Sequence, residues 1–401
     1  MEEFDYVVVG GGSAGCVVAS RLSEDPSVSV CLLEAGGEGR DVLIRAPLGF
    51  AIAMPQGINS WHYETVPQPG LNGRRGFQPR GKALGGSSAI NAMIYARGPR
   101  SDYDRWAELG NPGWGYDDVL PYFLRSECNA IFRGSPYHGV DGPLHVTNLR
   151  SPSPLNDVFL QACQSQGIPF NPDMNGEQHH GCYHVQVTQK DGERHSAAAA
   201  FIHPNLDRPN LVVRTRAHTT AVTFDGRRAT GARFEQGGVA HAVRARREVV
   251  MSAGAFGTPQ ILMASGLGPG QHLQDLGITP VLDVPGIGQN LQDHISALLI
   301  YRALVPDHTV GISPRGVADL VKAMWTWRRH RTGRITSCAA ESGVYYRTSP
   351  DVEVSDMEME LIVGIGDPCR SRQPRLLGAP AGPAQAWARC AWPARTRRYR
   401  R

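Results

Sequence analysis

The apolar positions in the first 34 residues predict a strand, a helix and a second strand, in that order. Residues 6–9 (YVVV) form a short β-branched run that is typical of a strand buried in a parallel sheet. Residues 14–22 provide the helix, and residues 28–33 (VSVCLL) return to the pattern of a strand. This order indicates the first βαβ unit of an α/β fold.

Three glycines fill the turn between the first strand and the helix. Gly10, Gly12 and Gly15 satisfy G-x-G-x-x-G, in which the first permits a tight turn, the second lets backbone approach a pyrophosphate, and the third lets the helix pack on the strand. Glu34 follows Gly15 by 19 residues, where a carboxylate accepts hydrogen bonds from an adenosine ribose. The pattern predicts a dinucleotide site with the helix amides facing the phosphates. Glu34 argues against NADP, but the motif alone does not separate FAD from NAD.

A second run of small residues lies at 85–88 (GGSS), inside the segment 81–98. Exposed amides and hydroxyls without bulk suit a loop that lies against a phosphate or a flat ring. A glycine-rich turn inside a sheet domain is the alternative interpretation.

A third segment, residues 252–268, follows a predicted buried strand and begins with a small-residue turn. Thr258 is predicted as the helix N-cap, Pro259 as the first helical residue and Gly266 as the stop. The small residue Ala253 would let the turn approach a bound dinucleotide. A plain strand-to-helix corner is equally compatible with these residues.

The composition describes a globular protein, with 41% hydrophobic residues among 401. No run approaches 18 apolar residues, and the start (MEEFDYVVVG) lacks the features of a secretory signal, so we expect no membrane span and a cytoplasmic location. Peripheral attachment to a membrane is the alternative. The eight cysteines form no CxxC pair, which argues against a zinc site and a disulfide framework.

The net charge of +4 is unevenly distributed along the chain. Residues 367–401 hold nine arginines and one acid, a net charge of +8, which leaves −4 for residues 1–366. This last segment is rich in arginine, proline, alanine and glycine, and we read it as lacking apolar periodicity. We interpret it as an out-of-frame, disordered tail, with a genuine basic interaction tail as the alternative.

The chain resembles the glucose–methanol–choline (GMC) family of flavin-dependent oxidoreductases, in particular its choline dehydrogenase-like alcohol dehydrogenases. The similarity extends from about residue 4 to about residue 365. Besides the N-terminal glycine motif, it is carried by WHYETVPQP (61–69), GKALGGSSAINAMIYARGPRSDYD (81–104), YHGVDGPLHV (137–146), GAFGTPQILMASGLG (254–268) and PGIGQNLQDH (285–294).

The resemblance implies FAD rather than NAD, and FAD held without a covalent bond. Some relatives attach the flavin to a histidine just before the motif asparagine, where this chain has Ile90. The implied cofactor-binding residues are Gly10, Gly12, Ser13, Ala14, Gly15, Glu34 and Ala35 for the ADP half, Gly81, Gly85, Ser88, Asn91, Ala92 and Met93 along the pyrophosphate and the flavin ring, Thr219 at the adenine through its backbone, and Ala253 in the third motif.

The catalytic base that the resemblance implies is absent from this sequence. Flavin-dependent alcohol oxidation needs a base for the hydroxyl proton while hydride passes to flavin N5. Relatives supply it from a histidine paired with a second histidine or an asparagine, within HxxGTxxMG-like and DASxxP-like segments. Here the fourteen histidines end at His330. We therefore predict no catalytic residue among these 401 and little or no activity for the chain as written.

Other histidines do not replace that base. We interpret His294, beside Asp293, as a structural loop residue, and the adjacent His179 and His180 as pointing to different sides, so that no metal site is predicted. Residues 325–334 (WTWRRHRTGR) are predicted to end a helix rather than to bind nucleic acid.

The sequence therefore predicts an α/β fold with a Rossmann-like FAD domain interleaved with a substrate domain on a mixed or antiparallel sheet, the C-terminal part of the fold being missing. The FAD domain is assigned to residues 1–150 and 205–297, and the substrate domain to 151–204 and 298–366. The expected function is FAD-dependent oxidation of a primary alcohol or polyol of the choline-like class. A truncated non-catalytic flavin-binding or misfolded product is the alternative, and an NAD-dependent dehydrogenase is disfavoured by residues 81–91. The expected partners are a small alcohol and an electron acceptor (quinone, cytochrome or oxygen), without nucleic acid.

Overall fold

The computed structural model describes residues 1–302, 314–363 and 385–392. Within these ranges the strands are β1 (Glu2–Val9), β2 (Val30–Leu33), β3 (Ser60–Glu64), β4 (Phe77–Gly81), β5 (Glu127–Asn129), β6 (Leu144–Asn148), β7 (Gly181–His184), β8 (Gln186–Val187), β9 (Gln189–Lys190), β10 (Glu193–Arg194), β11 (Leu211–Arg214), β12 (His218–Asp225), β13 (Arg228–Gln236), β14 (Val239–Met251), β15 (Leu267–Gly268), β16 (Leu282–Asp283), β17 (Ile295–Arg302), β18 (Ala340–Tyr346), β19 (Met357–Val363) and β20 (Gln385–Trp392). The α-helices in the same ranges are α1 (Ser13–Leu22), α2 (Val42–Arg45), α3 (Phe50–Ala53), α4 (Arg100–Glu108), α5 (Tyr116–Ser126), α6 (Leu155–Ser165), α7 (Gly254–Ala264), α8 (Gly270–Asp275) and α9 (Pro314–His330).

The chain folds into two units that alternate along the sequence. The first comprises Met1–Ile44, Phe50–Asn91 and His195–Leu291, and the second comprises Arg45–Gly49, Ala92–Arg194 and the described residues from Gln292 onward. This arrangement confirms the predicted α/β fold with a Rossmann-like domain interleaved with a second domain.

The first unit contains a six-stranded sheet in the order β11-β2-β1-β14-β13-β12. Strands β11, β2, β1 and β14 are parallel, while β14, β13 and β12 pair antiparallel. Val7 pairs with Cys31 on one side and with Val249 on the other, so the predicted β-branched strand is central and buried. The carboxyl ends of these parallel strands meet at one edge, where ligands bind in such sheets.

The second unit has a different sheet. Five strands pair antiparallel in the order β17-β20-β19-β18-β7, and β5, β6 and β8 form a smaller sheet. A buried cluster that includes Tyr183, Val187 and Cys338 forms part of its core.

The predicted domain boundaries differ from the observed ones. Residues 92–150 belong to the second unit, because Thr147 of β6 pairs with Val187 of β8 and Ile94 bridges to the same valine. Residues 195–204 belong to the first unit, where the Ala197 amide donates to Ser88 Oγ at 2.9 Å. These contacts join residues far apart in sequence, and local patterns do not reveal them.

The C-terminal segment also differs from the sequence prediction. We expected no regular structure after residue 366, yet Gln385–Trp392 forms a strand between β17 and β19. Alternate residues of QAWARCAW, from Ala386 to Trp392, are all apolar, which is a period-two strand pattern that the overall composition of the segment obscured. The rest of the predicted disordered tail, residues 367–384 and 393–401, lies outside the described residues.

Candidate dinucleotide site

A cavity of about 650 Å³ opens in the first unit at the carboxyl ends of β1, β2 and β14. This volume lies within the roughly 300–1,000 Å³ that is usual for small-molecule and cofactor sites. Its wall consists of Val9, Gly10, Gly12, Ser13, Ala14, Leu33, Glu34, Ala35, Trp61, Tyr63, Arg80, Gly81, Gly86, Ser87, Ala217–Thr220, Met251–Thr258, Gln260, Ile261 and Ala264.

The glycine turn after β1 brings backbone to the cavity. Gly10 has a φ of +97°, and a Cβ there would lie 2.6 Å from the Ser252 carbonyl oxygen. A Cβ on Gly15 would lie 1.9 Å from the Gly10 carbonyl oxygen, so Gly15 serves the contact between α1 and the turn rather than the cavity wall. Ser13 and Ala14, in the first turn of α1, line the cavity. The amides of a first helical turn have no partners within the helix, and they attract anions.

Glu34, at the end of β2, places a buried carboxylate in the cavity wall. Its Oε2 accepts the Gly11 amide and its Oε1 accepts the Gly36 amide, both at 2.8 Å. Burial raises the pKa of Glu34 to about 7, although the two amide bonds act in the opposite direction. Each carboxylate oxygen still has a lone pair for a further donor, such as a ribose hydroxyl.

The second glycine motif lies directly against the first. A Cβ on Gly81 would lie 2.1 Å from the Gly86 carbonyl oxygen, and a Cβ on Gly86 would lie 2.6 Å from Gly12 Cα. Glycine is therefore required at both positions for these backbones to approach each other. Gly85 has a φ of +96°, and Ser88 Oγ donates to its carbonyl at 2.6 Å. Gly85 and Ser88 shape this loop, while Gly81, Gly86 and Ser87 line the cavity.

The third motif closes the cavity from β14. Ser252 Oγ donates to the Val9 carbonyl at 3.0 Å and to the Gly10 carbonyl at 2.9 Å, which ties this turn to the first glycine turn. Helix α7 begins at Gly254 and not at the predicted Pro259. Thr258 therefore lies inside the helix and is not its N-cap, and its Oγ1 accepts the Ala253 amide at 3.1 Å. The predicted stop is confirmed, since α7 ends at Ala264, just before Gly266, whose φ is +88°.

Nine predicted residues line this cavity, namely Gly10, Gly12, Ser13, Ala14, Glu34, Ala35, Gly81, Thr219 and Ala253. Asn91 is not in the wall, and its amide donates to the Ser87 carbonyl at 2.9 Å. Ala92 and Met93 belong to the second unit, where the Met93 carbonyl accepts the Thr188 amide at 2.9 Å. Met93 has a φ of +63°, an unusual backbone for a residue that is not glycine.

An aromatic wall was not predicted as part of the site. Trp61 and Tyr63 of β3 stack with centroids 5.7 Å apart, and Tyr63 meets Phe256 edge-on at 5.7 Å. The Arg80 guanidinium lies 4.5 Å from the Phe256 ring centroid. The motif WHYETVPQP contains Trp61 and Tyr63, but the sequence does not show that these side chains reach the cavity. They do so in the structure, where β3 pairs with β4 and lines the cavity.

The cavity suits the ADP part of a dinucleotide. Glu34 offers acceptors for ribose hydroxyls, the first turn of α1 offers amides for a pyrophosphate, and side chains at Gly12, Gly81 or Gly86 would fill space or force backbone apart. The arrangement has the shape and the polar groups needed to bind and orient a dinucleotide.

The histidines weighed as bases or metal ligands lie in other settings. His294 is exposed, and its backbone amide, not its ring, bonds Asp293 at 2.8 Å. His179 stacks on Tyr345 with centroids 3.9 Å apart, while His180 Nδ1 lies 3.4 Å from Ser355 Oγ. These contacts assign no chemical role to the three histidines.

Among the helices that the structure describes, none has the length and apolar character needed to cross a membrane.

Comparison with known proteins shows which family the chain resembles. A sequence model described as GMC oxidoreductase matches residues 4–296. The chain is 42% identical to alcohol dehydrogenase [acceptor] of Pseudomonas putida over 90% of this chain and 65% of that protein. It is 40% identical to mitochondrial choline dehydrogenase of Mus musculus over 90% of this chain and 61% of the relative. The chain thus spans less than two thirds of the length of these relatives.

Solved structures show the same fold. Pyridoxine 4-oxidase from Mesorbium loti superposes with a TM-score of 0.82 at 30% identity, over 97% of this chain and 71% of that one. An FAD-dependent oxidoreductase from Chaetomium thermophilum superposes with a TM-score of 0.77 at 28% identity, over 86% of this chain and 62% of that one.

Proposed function

The chain belongs to the GMC oxidoreductase family, and on that premise we propose that it takes part in FAD-dependent oxidation of the CH–OH group of a primary alcohol or polyol, with choline-like alcohols as the first class to test. The family and its FAD-dependent structural relative confirm FAD as the cofactor. When bound, FAD would supply the acceptor for the hydride that leaves the carbinol carbon. The observation that carries the proposal is the buried Glu34 carboxylate beside three interlocked glycine turns.

The chain's own residues supply binding and orientation. Glu34 accepts the adenosine ribose hydroxyls, the first turn of α1 receives the pyrophosphate, and the Thr219 backbone lies at the adenine end of the cavity. Ile90 cannot form a bond to the flavin, which supports non-covalent attachment. The proposed roles of Asn91, Ala92 and Met93 along the flavin ring rest on the family motif.

The proton acceptor for the alcohol is not assigned to any described residue. His218 lines the cavity, but it precedes Thr219 and its ring packs on Trp61 with centroids 5.4 Å apart, so we place it at the nucleotide. No histidine follows His330 in the sequence. We therefore propose that the 401-residue chain binds FAD and oxidises alcohols far more slowly than its longer relatives.

The alternative is a flavin-binding or misfolded product without catalytic function. Purified protein should carry FAD that is released on denaturation, as shown by the flavin absorbance of the supernatant. Glu34→Ala should lose most of the bound flavin, whereas Gly37→Ala, where a Cβ would meet nothing within 4 Å, should keep it. Turnover of choline and primary alcohols with a dye acceptor at the rate of the Pseudomonas putida relative would contradict the proposed low activity. Purified, folded protein without flavin would contradict the whole proposal.

A further inference from the structure

Helix α9 has an inner face that holds it firmly on the second unit. Trp327 is buried in a cluster with Ala46 and Ile335, and its Nε1 donates to the Gly192 carbonyl at 2.7 Å. Just beyond the helix, Arg331 pairs with Glu193 at 2.8 Å. Because these contacts all lie on one side of α9, they fix the orientation of the helix, and its opposite side faces solvent.

The outer face of α9, residues 321, 322, 325, 328 and 329, combines apolar and basic side chains. Val321 is 66% exposed and Trp325 is 60% exposed, and Lys322, Arg328 and Arg329 are exposed as well. Trp325 lies three or four residues from each of the other four positions, so together they form a single stripe along the helix. The Arg329 guanidinium lies 5.6 Å from the Trp325 ring centroid, which keeps this cation beside the exposed indole.

The charge of this face contrasts with that of the main body of the chain. Residues 1–366 carry a net charge of −4, yet the outer face of α9 carries three cations, with Asp319 the nearby acid on the described part of the helix. What distinguishes this face from other exposed apolar side chains of the chain is that Val321 and Trp325 lie directly beside three cations. An indole flanked by basic side chains matches the boundary between anionic lipid headgroups and acyl chains.

We propose that the outer face of α9 is a membrane-contact surface that binds bilayers containing anionic phospholipids. Trp325 and Val321 insert at the headgroup boundary, and Lys322, Arg328 and Arg329 contact lipid phosphates. The helix lies on the bilayer and does not span it, because Trp327 and the inner face stay packed on the protein.

The first test is sedimentation of the full 401-residue chain with vesicles of phosphatidylcholine and phosphatidylglycerol (3:1), against vesicles of phosphatidylcholine alone. Binding should require the anionic lipid and should weaken with added salt. The triple variant K322Q/R328Q/R329Q should bind about 100-fold more weakly, at about fivefold for each cation. Trp325→Ala should weaken binding by roughly tenfold. A charge-matched control triple removes three exposed arginines elsewhere, Arg75, Arg133 and Arg227, and should leave binding unchanged within about twofold.

The second test locates the contact, because other arginines of the chain could also attract anionic vesicles. Brominated acyl chains quench tryptophans that lie close to them. Trp325→Phe should remove most of the quenchable emission, whereas Trp114→Phe should not, since this residue is 54% exposed in the loop between α4 and α5. Equal melting temperatures of the variants ensure that folding is not the cause.

Three results would overturn the proposal. They are no preference for anionic vesicles, equal loss of binding in the α9 triple and the control triple, and quenching that is unchanged in Trp325→Phe. Salt-dependent binding of duplex DNA that depends on the same three cations and exceeds vesicle binding would assign the face to nucleic acid instead.

Discussion

Glu34 should make the stability of the flavin-free protein depend on pH. Its folded pKa of about 7 lies above the ordinary value of 4.5 because the carboxyl is buried. For an acid whose pKa is raised by folding, the stabilisation is complete below the ordinary pKa and is lost as the pH rises through the folded pKa. At about 1.4 kcal/mol for each pKa unit, the shift corresponds to about 3 kcal/mol of unfolding free energy between pH 4.5 and pH 8.

Glu34→Gln isolates this effect from that of other titrating groups. Glutamine cannot ionise, and it also replaces one acceptor of the Gly11 and Gly36 amides with a donor. That exchange should lower stability by about 1–3 kcal/mol at every pH, so the slopes and not the absolute values are compared. Urea unfolding of both flavin-free proteins at pH 5, 6, 7 and 8 should show a steeper fall for the parent chain. Parallel pH dependences would refute a buried, titrating carboxylate at this position.

The other expected outcomes concern packing and buried charge. Gly15→Ala should destabilise the protein by about 3 kcal/mol or more and remove bound flavin, because the new Cβ would lie 1.9 Å from a backbone carbonyl oxygen. A melting temperature equal to that of Gly37→Ala would contradict this prediction. Glu127→Gln should cost about 3–5 kcal/mol in denaturation because it leaves the buried Arg97, 2.6 Å away, without its carboxylate partner. Asp117→Asn, in an exposed pair, should leave the unfolding midpoint nearly unchanged. Burial lowers the pKa of His138, but hydrogen bonds to two carboxylates outweigh this effect and raise the pKa to about 9. The stabilisation of the folded protein by His138 should be present below pH 6.5 and lost as the pH rises through 9. His138→Asn should abolish that loss in unfolding curves.

Local chemistry made the first glycine motif predictable from the sequence. Strand β1, helix α1 and the residue that follows β2 lie within 34 residues, so spacing alone placed Glu34 beside the glycine turn. The stop of α7 at Gly266 was predictable for the same reason. The start of α7 was not, because Thr258 bonds the Ala253 amide from inside the helix and looks like an N-cap in the sequence.

Contacts between distant segments were beyond the reach of sequence patterns. The pairing of Thr147 with Val187 assigns residues 92–150 to the second unit, although their local patterns fit either unit. The aromatic wall of Trp61, Tyr63 and Phe256 likewise depends on a hairpin meeting the first turn of α7. The strand at residues 385–392 was missed because composition was weighed over a longer segment than the eight residues that pair.

The affinity of the chain for FAD should depend on pH because of Glu34. This prediction combines the role that the sequence gives this residue with the burial that the structure gives it. The sequence places a ribose acceptor at this position, and burial in the ligand-free structure raises the pKa of its carboxyl to about 7. Ribose hydroxyls donate hydrogen bonds and so favour the ionised form, which means that FAD binding below pH 7 must release a proton. As the pH rises from 5 to 7, the Kd for FAD should therefore fall by up to about tenfold for each pH unit, and above pH 7 it should level off. The Kd is measured from the quenching of flavin fluorescence. Glu34→Gln should bind FAD more weakly and with no such dependence, and equal pH profiles of the two proteins would show that the ribose does not contact this carboxylate.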